Sequence, residues 1–480
     1  MKILSAHTIA VGWALAALHL GCSSPSAPDD DGPRPDGGGI PDGGDPQPQP
    51  DWWMPKPGMI TNVNQNDATD VDIDKGVAAP DQWYNGFYGA NSFAGMVGAW
   101  NGAIWADGYS KDGALAFFGG GHGANIGCFS YFFDVTTRKW GQVGAERNLP
   151  PSGDWNGGHP YDAAKDQRDP DWLDYDYNGS RIIVLPHLYH STSYLAPDEG
   201  GAPGVGSILV PNSELDETAS HPLKWGQWTF SLSDGQMARS RSDNVTEGVG
   251  AGSRVAVKDT VNRKMWYFDQ GKSQAYYQDL TLPVPRPIES VTVQVENGAP
   301  NDGYVPVYDF TWLFVPEAKA ALAFAGGGTE NAGMAAILVD FASGTPVMAA
   351  VQIPSLPPGE SGFPHGGTDV SAAWDSKRHR IVLYEGLGEN ITHVLTPSSL
   401  DFRKATWTWS RESYGGHAPA NAHGSIGVAT SLEGAWGRFR YVPTLDVFLW
   451  TDGPGVSDVT EDGVMRKGIV QFWHPEGTPL

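Results

Sequence analysis

Apolar positions in this chain come in short alternating runs that stop at glycine. One example is Ala114-Leu-Ala-Phe-Phe-Gly-Gly-Gly121. Cys128-Phe-Ser-Tyr-Phe-Phe-Asp134 follows, and then a polar turn leading into Lys139-Trp140. Runs of period two, rich in aromatic and branched residues and bounded by Gly and Asp, predict strands joined by tight turns. The unit returns as Arg254–Asp259 with Asn262–Gly271, and as Phe310–Pro316 with Ala321–Gly328. Val370–Asp375 with His379–Gly386 closes on Trp407 and Trp409, and Trp436–Tyr441 with Asp446–Gly453 closes on Trp473. Between Asp171 and Trp228 the rhythm is less regular, with strands predicted at Ser180–Leu185, Ile208–Val210 and Lys224–Trp228.

Copies recur about every 50 to 90 residues, six in all with a seventh left open, and no helical repeat competes with them. A four-stranded unit repeated in this way predicts an all-β propeller of six to seven four-stranded blades around a central channel. Residues from about Ile60 to Val77 are expected to supply an edge strand that closes the ring. Composition agrees: 62 Gly, 37 Pro and 19 Trp in 480 residues suit turn-rich β-structure. The length would otherwise suggest two or three domains, but repeat folds grow within one body.

The N-terminus reads differently. Met1-Lys2 precedes a mostly apolar stretch from Ile3 to Leu20, and then Leu18-His19-Leu20-Gly21-Cys22. This is the pattern of an export signal. Gly21-Cys22 resembles a bacterial lipobox, which implies lipidation at Cys22, although His19 stands where an aliphatic residue is usual. Residues 23–50 contain a single branched apolar residue, Ile40, and are expected to form a disordered tether. The division is then 1–22 signal, 23–50 tether and 51–480 propeller. Ser23 lacks the aspartate associated with inner-membrane retention, so the outer membrane or cell surface is the expected location.

The pairs Phe117-Phe-Gly-Gly-Gly121 and Phe133-Asp-Val-Thr-Thr-Arg-Lys-Trp140 resemble the kelch and galactose-oxidase type of propeller, over roughly residues 85–475. The resemblance implies a fold that hosts enzymes and passive binders alike. Histidines cluster beside Gly or Pro between predicted strands. They are His122 in GGGHG, His159 in GGHPYD, His187 and His190 in PHLYHS, His365 in FPHGG, and His417 and His423 in GGHAPANAHG. In a ring, successive loops converge near the axis, so these side chains either share a pocket or make ordinary loop hydrogen bonds.

The chain also resembles propeller polysaccharide lyases of the ulvan-lyase type, in fold and residue type. Such a reaction needs a base, an acid and a cation near a uronate carboxylate. The candidates for catalysis are His122, His159, Tyr189, His190 and Arg241. Arg239, Arg254, His365 and His423 are candidates for substrate binding. A copper-radical oxidase is the weaker alternative, because Cys128 is the only cysteine besides Cys22 and sits inside a predicted strand. No cofactor is demanded. Calcium is the candidate cation, at Asp169, Asp171, Asp174 and Asp176, with a second acidic run at Asp67, Asp70, Asp72 and Asp74.

The formal net charge is -24, which repels a phosphate backbone and argues against nucleic acid. The expected partner is a polysaccharide or a surface protein, met by a monomer that touches a membrane only through its lipid. An enzyme acting on acidic polysaccharide and a non-catalytic glycan- or protein-binding scaffold both remain open at this point.

Overall fold

A computed structural model of the chain describes residues 53–71, 102–118, 128–145, 192–210, 228–239, 254–269, 274–296, 310–325, 336–351, 353–354, 371–384, 390–419, 437–451 and 457–477. These residues form six blades of four antiparallel strands, successive in the chain in all but the sixth. Blade 1 is Ile104–Ala106, Ala114–Phe118, Cys128–Asp134 and Lys139–Ala145. Blade 2 is Ser193–Leu195, Ser207–Val210, Trp228–Ser231 and Met237–Arg239. Blade 3 is Arg254–Asp259, Lys264–Asp269, Gln274–Asp279 and Glu289–Thr292. Blade 4 is Phe310–Val315, Ala320–Ala325, Ala336–Asp340 and Val347–Ala350. Blade 5 is Ser371–Asp375, Arg380–Tyr384, Ile391–Pro397 and Trp407–Ser413. Blade 6 takes Arg440–Val442, Val447–Thr451 and Val470–Trp473 from the C-terminal end, and Met59–Asn62 from the N-terminal end. The first strands of successive blades lie side by side, so they form the inner ring.

The core is six slabs, one between each pair of neighbouring blades. Leu115, Phe117 and Trp140 of blade 1 meet Val447, Leu449 and Phe472 of blade 6 in one slab. Phe448, Trp450 and Trp473 face the other way, against Val382 and Tyr384 of blade 5. A strand in the middle of a blade therefore buries both faces. This explains why Ala114–Phe118 and Val447–Thr451 are buried throughout rather than on alternate residues. It also explains the many tryptophans: slabs between sheets are filled economically by large rings meeting edge to face, as Tyr384 does with Trp450 and Trp473 at 4.7 and 4.8 Å.

The expected closing strand is Met59–Asn62. It pairs antiparallel with the C-terminal strand, Ile60 opposite Trp473 and Asn62 opposite Gln471. It is not a free edge, because Gly415–Gly416, arriving from blade 5, runs parallel to its outer side. Gln294–Val295 passes from blade 3 to the outer strand of blade 4 in the same way. Gly416 has φ +87°, and a methyl group there would lie 2.4 Å from the Ile60 carbonyl oxygen. Gly416→Ala is expected to destabilise the ring by at least about 1–2 kcal/mol, from the left-handed backbone alone, as read by thermal unfolding.

Every turn from the first to the second strand ends on a residue with positive φ. These are Gly113, Gly206, Arg263, Lys319, His379 and Asp446. Four are not glycine, which a search for turn glycines overlooks. Trp473 belongs to the third strand of its blade, and the sequence reading had placed it at the blade's closing position. Of the strands predicted between Asp171 and Trp228, Ile208–Val210 lies within Ser207–Val210 and Trp228 opens Trp228–Ser231. Ser180–Leu185 lies outside the described residues.

Candidate functional site

Antiparallel order gives the propeller two unlike ends. Turns from first to second strand and from third to fourth leave at one end, the turn end. Segments from second to third strand, and from each outer strand to the next inner one, leave at the other, the connection end.

At the turn end, charged and polar groups bolt the seams. Between blades 5 and 6, Arg378 forks onto Asp446, with Nη1 to Oδ1 at 2.8 Å and Nη2 to Oδ2 at 3.1 Å. It also reaches Asp375 at 3.3 Å and donates to the Gly477 carbonyl oxygen at 3.1 Å. Tyr441 Oη donates to Asp446 at 2.6 Å. Partial burial pushes the Asp446 carboxyl up, but the bonds from Arg378 and Tyr441 outweigh it and bring the group down to about 2. Burial first, and then the Asp446 bond, hold the Tyr441 phenol far above its ordinary value.

Between blades 2 and 3, Lys258 meets Glu199 at 2.6 Å, and Arg286 donates to the Glu199 carbonyl oxygen at 2.6 Å. Between blades 3 and 4, Asn262 donates to the Phe341 carbonyl oxygen at 3.1 Å. Between blades 4 and 5, Trp374 donates to Glu317 at 3.0 Å, and Arg403 pairs with Asp340 and Glu296. Beside this last seam is an open hollow of ≈ 830 Å³ over Leu338 and Phe402, crossed by Arg403. The turn end thus spends its polar groups on holding blades together.

The connection end receives the segments that carry the candidate chemistry. His122 falls between the second and third strands of blade 1. His159, Tyr189 and His190, with Asp169, Asp171, Asp174 and Asp176, fall between blades 1 and 2. Arg241 falls between blades 2 and 3, His365 between blades 4 and 5, and His423 between blades 5 and 6. All of these residues lie outside the described ones, as do His187 and Cys22. The flanking strand ends, Phe118, Cys128, Ala145 and Ser193 among them, are at the connection end. Arg239 ends the outer strand of blade 2, opposite Trp228, and Arg254 opens the inner strand of blade 3, opposite Asp269. Both therefore sit at that end on neighbouring blades.

His417 is the loop histidine whose surroundings are described, and it makes loop hydrogen bonds. Its backbone nitrogen donates to the Ile60 carbonyl oxygen at 3.1 Å. Nδ1 lies 2.9 Å from Asn62 Nδ2, and Nε2 lies 3.1 Å from Glu461 Oε1. With a partner on each ring nitrogen, it serves the rim of blade 6 and not an axial pocket. Buried Asn62 also donates to Asp458 at 2.8 Å and to the Val459 carbonyl oxygen at 3.0 Å, which ties the hairpin Ser457–Val459/Met465–Lys467 to the closing strand.

In the second acidic run, Asp67 caps a short 3₁₀ turn. It accepts from the Thr69 backbone nitrogen at 2.8 Å and from the Lys467 backbone nitrogen at 3.0 Å, while Asp70 bonds back to Asp67. Partial burial would raise the Asp67 carboxyl, and these bonds more than offset it, so it lies below its ordinary value. Its oxygens are committed to capping. Among the described residues no group of three or more His, Cys, Asp or Glu side chains is placed to hold a metal ion, and no helix is long and apolar enough to cross a membrane.

The sequence reading passed over Arg438 and Arg440, which lead into and open the inner strand of blade 6 at the connection end. Arg440 Nε donates to the Gly437 carbonyl oxygen at 2.8 Å and Nη2 to the Ala103 carbonyl oxygen of blade 1 at 3.3 Å. Burial brings its guanidinium down to about 10. The signal that could have found the pair was its position: cations two apart on a strand that otherwise supplies core.

No protein-family description matches the chain, and no curated protein matches it. Solved structures are similar in shape. A fungal alcohol oxidase of the AA5 family, in complex with copper, is 11% identical with a TM-score of 0.36, over 79% of this chain and 64% of that one. The GH93 α-L-arabinofuranosidase of Fusarium graminearum with arabinobiose is 10% identical with a TM-score of 0.38, over 78% and 96%. An auxiliary nutrient binding protein from Bacteroides thetaiotaomicron is 10% identical with a TM-score of 0.37, over 79% and 70%.

Proposed function

We propose that this chain is an exported propeller that binds an acidic polysaccharide at its connection end. The carrying observation is the inequality of the two ends. Turns of 4 to 11 residues, closed by interblade bonds, occupy one end, and the segments bearing His122, His159, Tyr189, His190 and Arg241, 9 to 47 residues long, depart from the other. Binding and catalytic groups concentrate on loops that a rigid scaffold positions. Arginine is suited to carboxylate recognition because its fork matches the two oxygens. Arg239 and Arg254, at strand ends of adjacent blades, are the cations this reading assigns to the carboxylate. A lipid on Cys22 and the tether 23–50 would hold such a domain at the cell surface.

In the catalytic form of this reading, a His or Tyr takes the proton α to the uronate carboxylate. The electron pair forms a carbon–carbon double bond as the glycosidic oxygen leaves with a proton from the acid. The test is a panel of uronic-acid polymers, scored for retardation in affinity gels and for ultraviolet absorbance of an unsaturated product. Retardation by at least one polymer, weakened about tenfold or more in Arg239→Ala/Arg254→Ala, is expected. Absorbance would make the chain a lyase; retardation without it would make the chain a binder. No retardation by any polymer overturns the reading.

A further inference from the structure

The seam between blades 6 and 1 holds a cation that no carboxylate answers. Several arginines here meet acids: Arg378 meets Asp446, Arg380 meets Glu412, Arg403 meets Asp340 and Arg466 meets Asp462. Two others are held inside the protein, Arg138 over the Trp53 and Phe472 rings and Arg286 on the Glu199 carbonyl oxygen, both buried. Arg440 differs. Its Nε and Nη2 are tied to two backbone carbonyls, its Nη1 makes no hydrogen bond among the described residues, and it forms no ion pair there. In a chain with 55 acidic and 31 basic residues, a cation without a carboxylate is not a matter of supply.

The site is built. Gly437 has φ +65°, and a methyl group there would lie 2.5 Å from Arg440 Nη2 and 2.6 Å from the Ala103 carbonyl oxygen. Only a residue without a side chain lets the guanidinium tuck under the chain and bridge to blade 1. Arg438, buried two residues earlier, lies over the Phe117 ring at 5.8 Å, which stiffens the same strand. Two tethered nitrogens fix the plane of the Arg440 guanidinium, and Nη1 remains to donate. The group is partly buried, so a charge-assisted bond to it is less screened than one on the open surface.

We propose that Arg440 is an oxyanion-binding residue, which receives a carboxylate or sulfate group of a ligand between blades 6 and 1 at the connection end. This deepens the polysaccharide reading and rests on it only for the identity of the polymer; a free inorganic anion offers the same chemistry.

The folded full-length protein is titrated with D-glucuronate, D-glucose and sodium sulfate by calorimetry. Separately, Arg440 is probed with phenylglyoxal and mass spectrometry. Glucuronate is expected to bind about tenfold tighter than glucose and to protect Arg440 from modification. Arg440→Gln is expected to abolish that preference, while Arg440→Lys keeps part of it through charge without the fork. Sulfate protection without glucuronate protection would assign the site to inorganic anions and overturn its role toward polysaccharide. The protection assay uses unaltered protein, so it decides even if the variants do not fold. Equal glucuronate affinity in Arg440→Gln, or no protection by either anion, overturns the proposal. Polymer retardation that persists in Arg440→Gln sinks this inference and leaves the polysaccharide reading standing. Glucuronate protection with no polymer retarded does the reverse.

Discussion

A chain that begins at residue 65 is expected to show no cooperative unfolding transition, whereas one that begins at residue 51 should melt with the full-length protein. The first truncation removes Trp53 and the strand Met59–Asn62. Trp473, Phe472 and Val470, all fully buried, then lose the partner strand on one side. Trp53 also stacks under Arg138, whose guanidinium lies 5.9 Å from that ring and 5.4 Å from Phe472. Loss of a buried Trp and a buried Ile costs about 3–5 and 2–5 kcal/mol as alanine substitutions. Together with an opened ring, that is comparable with the whole stability of an ordinary domain, about 5–15 kcal/mol. The second truncation removes only residues expected to form signal and tether. Near-ultraviolet circular dichroism and tryptophan emission, followed against temperature, read both. A native transition in the shorter chain would mean that the slabs hold the ring without its closing strand.

The second large effect belongs to the seam of blades 5 and 6. Arg378→Ala leaves Asp446 without its bidentate partner, and leaves Asp375, fully buried, with Arg380 as the remaining cation. Removing one partner of a buried ion pair costs about 3–5 kcal/mol. The loss should exceed that of Arg403→Ala, whose pairing at the neighbouring seam is 37% exposed and worth about 0–1 kcal/mol. The same network sets an acid limit. Asp446 titrates at about 2 in the folded protein, below its ordinary 3.8. The stability it contributes is therefore complete above pH 4 and is lost as pH falls from about 4 to 2, by about 2 kcal/mol. Urea unfolding at pH 6, 4 and 2.5 checks this. In Asp446→Asn the decline over that window should shrink by a similar amount; an unchanged decline would place the acid sensitivity elsewhere.

Much of the fold was legible because strands in a propeller are local. Glycine-stopped apolar runs such as Ala114–Gly121, followed by Asp134 and Trp140, mark three strands of one blade without reference to the rest of the chain. Ring closure was legible because the residues from about Ile60 to Val77 precede the first copy of the unit; the closing strand itself is Met59–Asn62. The turns were harder to see. Arg263, Lys319, His379 and Asp446 take the left-handed conformation where glycine would be anticipated, because tight packing of successive strands imposes it.

The candidate site was legible as a list of residue types; strand order puts Arg239 and Arg254 at the connection end, and the other catalytic and substrate-binding candidates lie outside the described residues. His417 belongs to the GGHAPANAHG run, yet it bonds the rim through Asn62 and Glu461. Asp67 and Asp70 have the spacing of cation ligands, yet they cap a turn. Arg440 looked like core sequence, and its tie to Ala103 crosses 337 residues.

The sequence by itself determined the all-β class and the repeated unit, because alternation and turn chemistry act over a few residues at a time. Only the tertiary structure decided the number of blades, the end from which each connecting segment departs, and which charges are consumed by seams. Those depend on pairings between strands far apart in the chain, such as Ile60 with Trp473 and Arg378 with Asp446. Local pattern carries no record of such partners, since any apolar strand can pair with another and any arginine with any acid until the slabs bring particular ones together.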